Sequence, residues 1–327
     1  MSEISEQCQH RWPDIFLSLG VDEKVINKRN QPCPLCGGKD RFRYIDNLGD
    51  GRVVCNQCAP DTIDGFEFLM RLTGKSFADI ARDIRDVIGK TVARAPQNAD
   101  LEKIRMKLKR TWLESKPLSR NCPTHLYLCN RGLSGLTFSS LKGIRCHPGI
   151  DYWYSEGSEK PEKLGTFSAM VGAVTTPDGL PATLHITYLN KDGSKAALDP
   201  VRKIMTPSRQ WSGGAVRLEP LQPNQILCVA EGIETALAMK LMYPDVCPWA
   251  VISEGNMQKF EPPELPEFAN CQSIYIGADN DANFVGQSAA YALAKRLTAK
   301  KHKAVVLLPK QKGTDFLDEL NTQETAA

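Results

Sequence analysis

The chain has 327 residues, 42% of them hydrophobic and 24% charged, and a formal net charge of +3. That balance excludes a disordered or fibrous chain and leaves room for two or three domains, each with its own core. No apolar run is long enough to span a bilayer and polar residues follow Met1, so a cytoplasmic protein with no membrane association is expected.

Up to about Arg29, the residues Trp12, Ile15, Phe16, Leu17 and Leu19 alternate with charges and predict a short helical lead-in. Residues 31 to 58 are dense in Cys, Gly, Arg and Asp, with strand-like RFRYI and RVVC. DGFEFLMRL and SFADIARDIRDVIG then place apolar residues at helical spacing, parted by Thr73-Gly74. TVARAPQNAD, at 91–100, reads as a linker. A basic helix follows with Lys103, Arg105, Lys107, Lys109, Arg110 and Lys116, and short strands with Gly/Pro turns run on to about residue 222. A second basic run, Lys295 to Lys303, lies near the C-terminus; each run alone reads as a solvated helix face. From 223 onward strands and helices alternate: ILCVA, ETALAMKLM, PWAVIS, SIYIGA, QSAAYALAKRLTAKK, AVVLLP and TDFLDEL. Apolar strands alternating with helices predict an α/β unit with a parallel sheet covered on both faces.

Eleven cysteines in a reducing compartment argue against a disulfide framework. Cys33-Pro-Leu-Cys36 and Cys55-Asn-Gln-Cys58 are two C-x-x-C knuckles eighteen residues apart, the spacing of a closed four-thiolate zinc site with a structural role. The hairpin between them carries Arg41, Phe42, Arg43 and Tyr44. Alternating Arg and aromatic residues suit phosphate contact and base stacking on single-stranded nucleic acid. Phe42 and Tyr44 share one strand face and are expected to be at least partly core, with Arg41 and Arg43 outward. The domain reading is a zinc-binding ribbon at 1–90, a linker at 91–100, a mixed α+β region at 101–222 and the α/β unit at 223–327.

Three acidic clusters fall at predicted strand ends of that last unit. Glu231-Gly232-Ile233-Glu234 follows ILCVA, Asp279 and Asp281 follow SIYIGA, and Asp315 and Asp318 follow AVVLLP. Residues two apart on a strand share a face, and in a parallel sheet all three turns lie on one edge. Carboxylates facing one another repel unless a proton or cation lies between them, and paired oxygens suit Mg²⁺ or Mn²⁺. Each cluster taken alone can equally serve as an acidic helix N-terminus, Glu234 in particular.

The strings AEGIETALA, SEGNM, GADND and KGTDFLDEL together resemble the Toprim domain shared by primases, topoisomerases and some nucleases. CPLCGGKDRFRY, VVCNQC and DGFEFLMRL resemble the zinc-binding module of phage and mobile-element primases. YLCNRGL, HPGIDYW, LHITYLNKDGSKA and GGAVRLEP resemble the segment that joins the two, so the likeness spans nearly the whole chain. It implies a DNA primase making short RNA primers on single-stranded DNA from nucleoside triphosphates. Glu231 would be the acid/base carboxylate, Asp279 and Asp281 the metal-binding pair, and Asp315 an accessory ligand. For the triphosphate, Arg131, Lys191, Lys195, Arg202, Lys203 and Arg209 are available; Arg131, Lys195 and Lys203 are favoured. His185 and the Tyr152-Trp153-Tyr154 trio read at least as well as core. Larger members carry a helicase motor that this sequence does not show, so a separate replicative helicase is the expected partner. A metal-dependent nuclease, or a non-catalytic zinc-dependent single-strand-binding protein, would use parts of the same set.

Overall fold

The computed structural model describes residues 3–46, 48–58, 62–91, 98–154, 161–263, 268 and 271–326. The chain forms two compact units, Met1–Arg105 with Trp153–Leu164, and Met106–Tyr152 with Gly165–Ala327.

In the first unit, helices α1 (Glu3–Cys8) and α2 (Trp12–Ser18) precede an antiparallel sheet of β1 (Gln31–Cys33), β2 (Gly37–Tyr44), β3 (Val53–Cys55) and β4 (Thr62–Ile63), in that order. Helices α3 (Gly65–Thr73) and α4 (Phe77–Ile88) follow. Asp64 caps the first by accepting from the Glu67 amide at 2.9 Å, and Ser76 caps the second through the Asp79 amide at 3.2 Å. Gly74, at φ 72°, closes α3 in the left-handed region that its lack of a Cβ permits. The core is aromatic: Phe68 meets Phe16 at 5.4 Å and Phe42 at 5.7 Å between ring centroids. Of the expected 91–100 linker, residues 92–97 lie outside the described residues, and Asn98–Asp100 belong to α5 (Asn98–Glu114).

The second unit is organised by one mixed sheet. Its strands are β5 (Ile144–Tyr154), β6 (Glu162–Thr175), β7 (Pro181–Leu189), β8 (Arg202–Ile204), β9 (Ala215–Arg217), β10 (Ile226–Ala230), β11 (Val246–Ala250), β12 (Ile274–Gly277) and β13 (Ala304–Leu307). The path runs β13-β12-β10-β11-β9-β6-β7-β8, with β5 on β6. Strands β10 to β13 pair in parallel, in the register Leu227↔Cys247, Leu227↔Ile274 and Ile274↔Ala304. Strand β9 pairs antiparallel with both β11 and β6, so residues 101–222 and 223–327 share a continuous sheet.

Strand β10 explains its own apolar run. Cys228 and Ala230 join a core with helices α7 (Ile233–Met242) and α10 (Phe316–Ala326), through Leu237 and Phe316. Leu227 and Val229 join a second core on the other face, with Leu293 and Leu297 of α9 (Val285–Ala299). Alternate residues thus bury on opposite sides, leaving no polar face. The short helix α8 (Glu254–Lys259), capped by Ser253, had no clear periodicity in the sequence. Helix α6 (Pro123–Asn130) packs into the first of these two cores through Tyr127 and Leu128. No helix among the described residues is long and apolar enough to cross a membrane.

Candidate metal and nucleotide site

The four knuckle cysteines meet. Their sulfurs all lie within 4.8 Å of one another, with Cys33–Cys58 at 3.9 Å and Cys36–Cys55 at 3.6 Å. A tetrahedral ion with metal–sulfur bonds of about 2.3 Å requires sulfurs roughly 3.8 Å apart, so the set fits zinc closely. Strand pairing builds this geometry: Cys33 lies opposite Gly37 in the β1–β2 hairpin, and Cys55 opposite Phe42 in β2–β3. On β2, Phe42 and Tyr44 are buried, while Arg43 is exposed and Arg41 half-buried. The expected contact of Phe42 with nucleic acid is therefore corrected: at 1% exposure its ring is committed to Phe68 and offers no face to a base.

In the second unit, the turns after β10, β12 and β13 come together. Asp279 is pushed up to about 7, first by burial and then by the charges of Glu231, Asp315, Asp281 and Asp318. Glu231 is likewise lifted, by burial and then by Glu254 and Asp281, while the Arg202 guanidinium opposes the rise. Glu254, contributed by α8, belongs to the SEGNM string but had no site role assigned from the sequence. Its amide donates to the Glu231 carboxylate, which places the β11 turn on the same crevice.

Asp281 Oδ2 accepts from the Gly286 amide at 3.0 Å. A Cβ on Gly286 would lie 2.9 Å from the Asp279 carbonyl and 3.1 Å from that same Oδ2, so the close approach requires glycine. Between the two aspartates, Asn280 points the other way. Its Nδ2 donates to Pro309 O at 2.9 Å, and its Oδ1 accepts from Gln287 at 3.0 Å, which ties the β12 and β13 turns together. Asp315 is more committed: Oδ1 caps α10 through the Leu317 and Asp318 amides at 2.8 and 2.9 Å, and Oδ2 faces Thr235 at 3.4 Å. The helix-cap reading therefore holds for Asp315 as well as its place on the crevice.

Two backbone outliers flank the carboxylates. Ile252 (φ 74°) follows β11 and donates its amide to Glu231 O at 2.8 Å, and Phe284 (φ 62°) precedes α9. Positive φ is costly for a β-branched or aromatic residue, and such strain gathers at functional sites. Asp279 Oδ1 is buried with no hydrogen-bond partner among the described residues. An orphaned carboxylate oxygen amid four further carboxylates fits a hard divalent cation. Among the described residues, the carboxylates do not converge as tightly as the four thiols.

Beside this crevice lies a cationic cluster. Arg202 donates to Glu234 Oε1 at 2.8 Å, and the Tyr127 hydroxyl donates to the same oxygen. Burial alone would lift the Glu234 carboxyl, but Arg202 and Tyr127 hold it below the usual range. Glu234 thus leaves the acidic crevice and serves as an anchor. Lys195 is lowered by burial and then by Arg202 and Arg131, which brings these three cations into one electrostatic neighbourhood. Arg131 Nε is buried and unpartnered among the described residues. Lys203 does not join them. Strand alternation on β8 sends it to the opposite side from Arg202, over the Tyr152 ring at 3.5 Å. Of the favoured set Arg131, Lys195 and Lys203, the first two share their surroundings with Arg202 and the third does not.

Tyr152 is fully buried, whereas Trp153 and Tyr154 are exposed. His185 is buried near Glu234 and Arg202, and burial pushes its imidazole down to about 4 from 6.5. Since the fold holds it neutral, its contribution to stability is complete above pH 6.5 and is lost as pH falls toward 4. The loss amounts to about 3 kcal/mol. His185→Gln should accordingly flatten the unfolding free energy across that window; profiles that stay parallel to the unaltered chain would refute this.

Comparison with known families divides the chain as its cores do not. Residues 28–66 match the zinc-binding domain of primase-helicase, 102–218 a domain of unknown function (DUF7146), and 226–325 the Toprim domain. Among solved structures, the chain is similar to the Aquifex aeolicus primase comprising zinc-binding and RNA polymerase domains. The identity is 12% and the TM-score 0.41, covering 100% of this chain and 84% of that one. It is also similar to the primase fragment of the bacteriophage T7 primase-helicase protein, at 12% identity and TM-score 0.40, covering 91% and 96%. A third is the E. coli primase catalytic core, at 13% identity and TM-score 0.41, covering 68% and 75%.

Proposed function

We propose that this chain, which joins the zinc-binding domain of a primase-helicase to a Toprim domain, is a DNA primase that makes short RNA primers on a single-stranded template. One observation carries the reading: Glu231 stands within the field of both Asp281 and Arg202, so the carboxylate crevice and the cationic cluster adjoin. A nucleoside triphosphate needs that combination, with oxygen ligands for its cation and guanidinium or ammonium groups for its phosphates.

In this reading, a primer 3′-oxygen attacks the α-phosphorus of the incoming nucleotide. The bond to the bridging oxygen breaks, pyrophosphate leaves and the hydroxyl proton goes to a base. Asp279 and Asp281 would hold Mg²⁺ or Mn²⁺, with Asp315 an accessory ligand. When bound, that ion neutralises triphosphate charge and lowers the hydroxyl pKa. Glu231, whose carboxyl is already lifted, accepts the proton. Arg131, Lys195 and Arg202 receive the triphosphate, and the Glu234–Tyr127 pair fixes where Arg202 stands. Lys203 stays a weaker candidate, its ammonium stacked on Tyr152.

The test is incubation with single-stranded DNA, labelled ribonucleotides and Mg²⁺ or Mn²⁺. Short templated products are expected; template degradation without synthesis would replace the reading by a nuclease. Template binding is assigned in part to Arg41 and Arg43. If each meets one phosphate of a single strand, Arg41→Ala with Arg43→Ala lowers the salt dependence of binding by about 1.4 in log–log slope. The melting of the first unit should be unchanged, and an equal loss of folding and binding would overturn the assignment.

A further inference from the structure

The outward face of α9 begins at the carboxylate crevice. Phe284 stands three residues after Asp281, and its amide donates to the Asp281 carbonyl at 3.2 Å. Phe284 is 62% exposed, although φ is 62° and ψ 18°. A bulky residue held in a strained conformation and left in water is doubly unfavourable for folding, so the packing of the unit does not account for it. Lys312, on the turn after β13, lies 5.6 Å from the ring centroid. Seven and eleven residues along the helix, Tyr291 and Lys295 return to the same face. Tyr291 is 56% exposed, and Lys295 and the intervening Ser288 are also exposed. At 1.5 Å of rise per residue, the two aromatic rings are about 10 Å apart along the axis, the span of roughly three stacked bases.

We infer that this face of α9, with Lys312, is a track for single-stranded nucleic acid leading to the carboxylate crevice. Phe284 stacks a base next to the reacting phosphate, Tyr291 stacks a second, and Lys312 and Lys295 meet the backbone. The inference rests on the proposed reaction for its reason to place nucleic acid there. The occupant is argued from chemistry: flat π-faces interleaved with ammonium groups bind any base sequence, and cations beside rings are already paired in the Phe284–Lys312 contact. Apart from Val285 beside Phe284, the exposed side chains here are two rings, a hydroxyl and ammonium groups, which suits a nucleic acid better than an apolar protein partner.

The experiment is binding of an oligodeoxynucleotide carrying a single 2-aminopurine, measured by anisotropy and by base fluorescence, without nucleoside triphosphates. Quenching of the 2-aminopurine is expected, with affinity falling about tenfold in Phe284→Ala, the low end of the range for losing one stacked base. Phe284→Trp should restore binding and Phe284→Leu should not, since leucine supplies apolar cover without a π-face. Phe284→Gly should bind as weakly as Phe284→Ala yet unfold at no lower temperature than the unaltered chain, because the left-handed backbone no longer carries a Cβ. Undiminished affinity in Phe284→Ala, or rescue by leucine equal to that by tryptophan, would overturn the track. Phe284-dependent binding in a protein that makes no primers would remove the reaction and leave the surface. Primer synthesis with Phe284-independent affinity would do the reverse.

Discussion

Asp279→Asn is expected to lower primer synthesis by about three orders of magnitude, some 4 kcal/mol of transition-state stabilisation, while leaving the chain folded. The carboxylate is half-buried, its Oδ1 is buried and accepts no hydrogen bond among the described residues, and it is raised to about 7 by burial and by four neighbouring carboxylates. A group arranged that way weakens the fold in the absence of a cation. In metal-free buffer at pH 8, the amide should therefore melt several degrees above the unaltered chain, the scale on which about 1 kcal/mol is read in a domain of this size. Added Mn²⁺ or Mg²⁺ should raise the melting temperature of the unaltered chain and not that of Asp279→Asn. A variant that melts lower, or that still responds to the ion, would mean that Asp279 is a structural residue.

Removing zinc is the second large effect. The cysteines hold together strands that are otherwise short: β1 and β3 have three residues each, and Cys33 and Cys55 are buried against the Phe42 side of the sheet. Structural zinc in small modules contributes about 10–16 kcal/mol of apparent binding free energy, comparable to the whole stability of a unit of this size. Cys55→Ser, or strong chelation, should abolish one equivalent of bound zinc and expose the amides of β1–β3 to hydrogen exchange. Single-strand binding through Arg41 and Arg43 should go with it. A folded first unit without zinc would refute the assignment.

The elements most legible in the sequence are those where one local rule sufficed. The C-x-x-C pairs are brought together by a single hairpin, so spacing alone foretold the four-sulfur set. The run ILCVA followed by Glu231 foretold a doubly buried strand opening onto a carboxylate, because parallel order puts successive turns on the same edge. Alternation around Phe42 foretold inward aromatics and outward arginines, and it was the hope of base stacking by Phe42 that failed, since the ring cannot occupy both the core and a ligand.

What stayed hidden depends on residues far apart in the chain. Glu234 and Asp315 are both acidic residues near a helix start. Tertiary contact made the first an ion-pair partner of Arg202, thirty-two positions away, and left the second divided between a cap and the crevice. Arg202 and Lys203 are adjacent and equally charged; only the placement of β8 on the edge of the sheet chose which joins Arg131 and Lys195. Sequence by itself determined the four zinc thiols and the apolar strands that end beside Glu231 and Asp279, because each follows from local spacing or alternation. Only the tertiary structure decided which charges share a field, because Coulomb energy depends on separation and burial rather than on order along the chain.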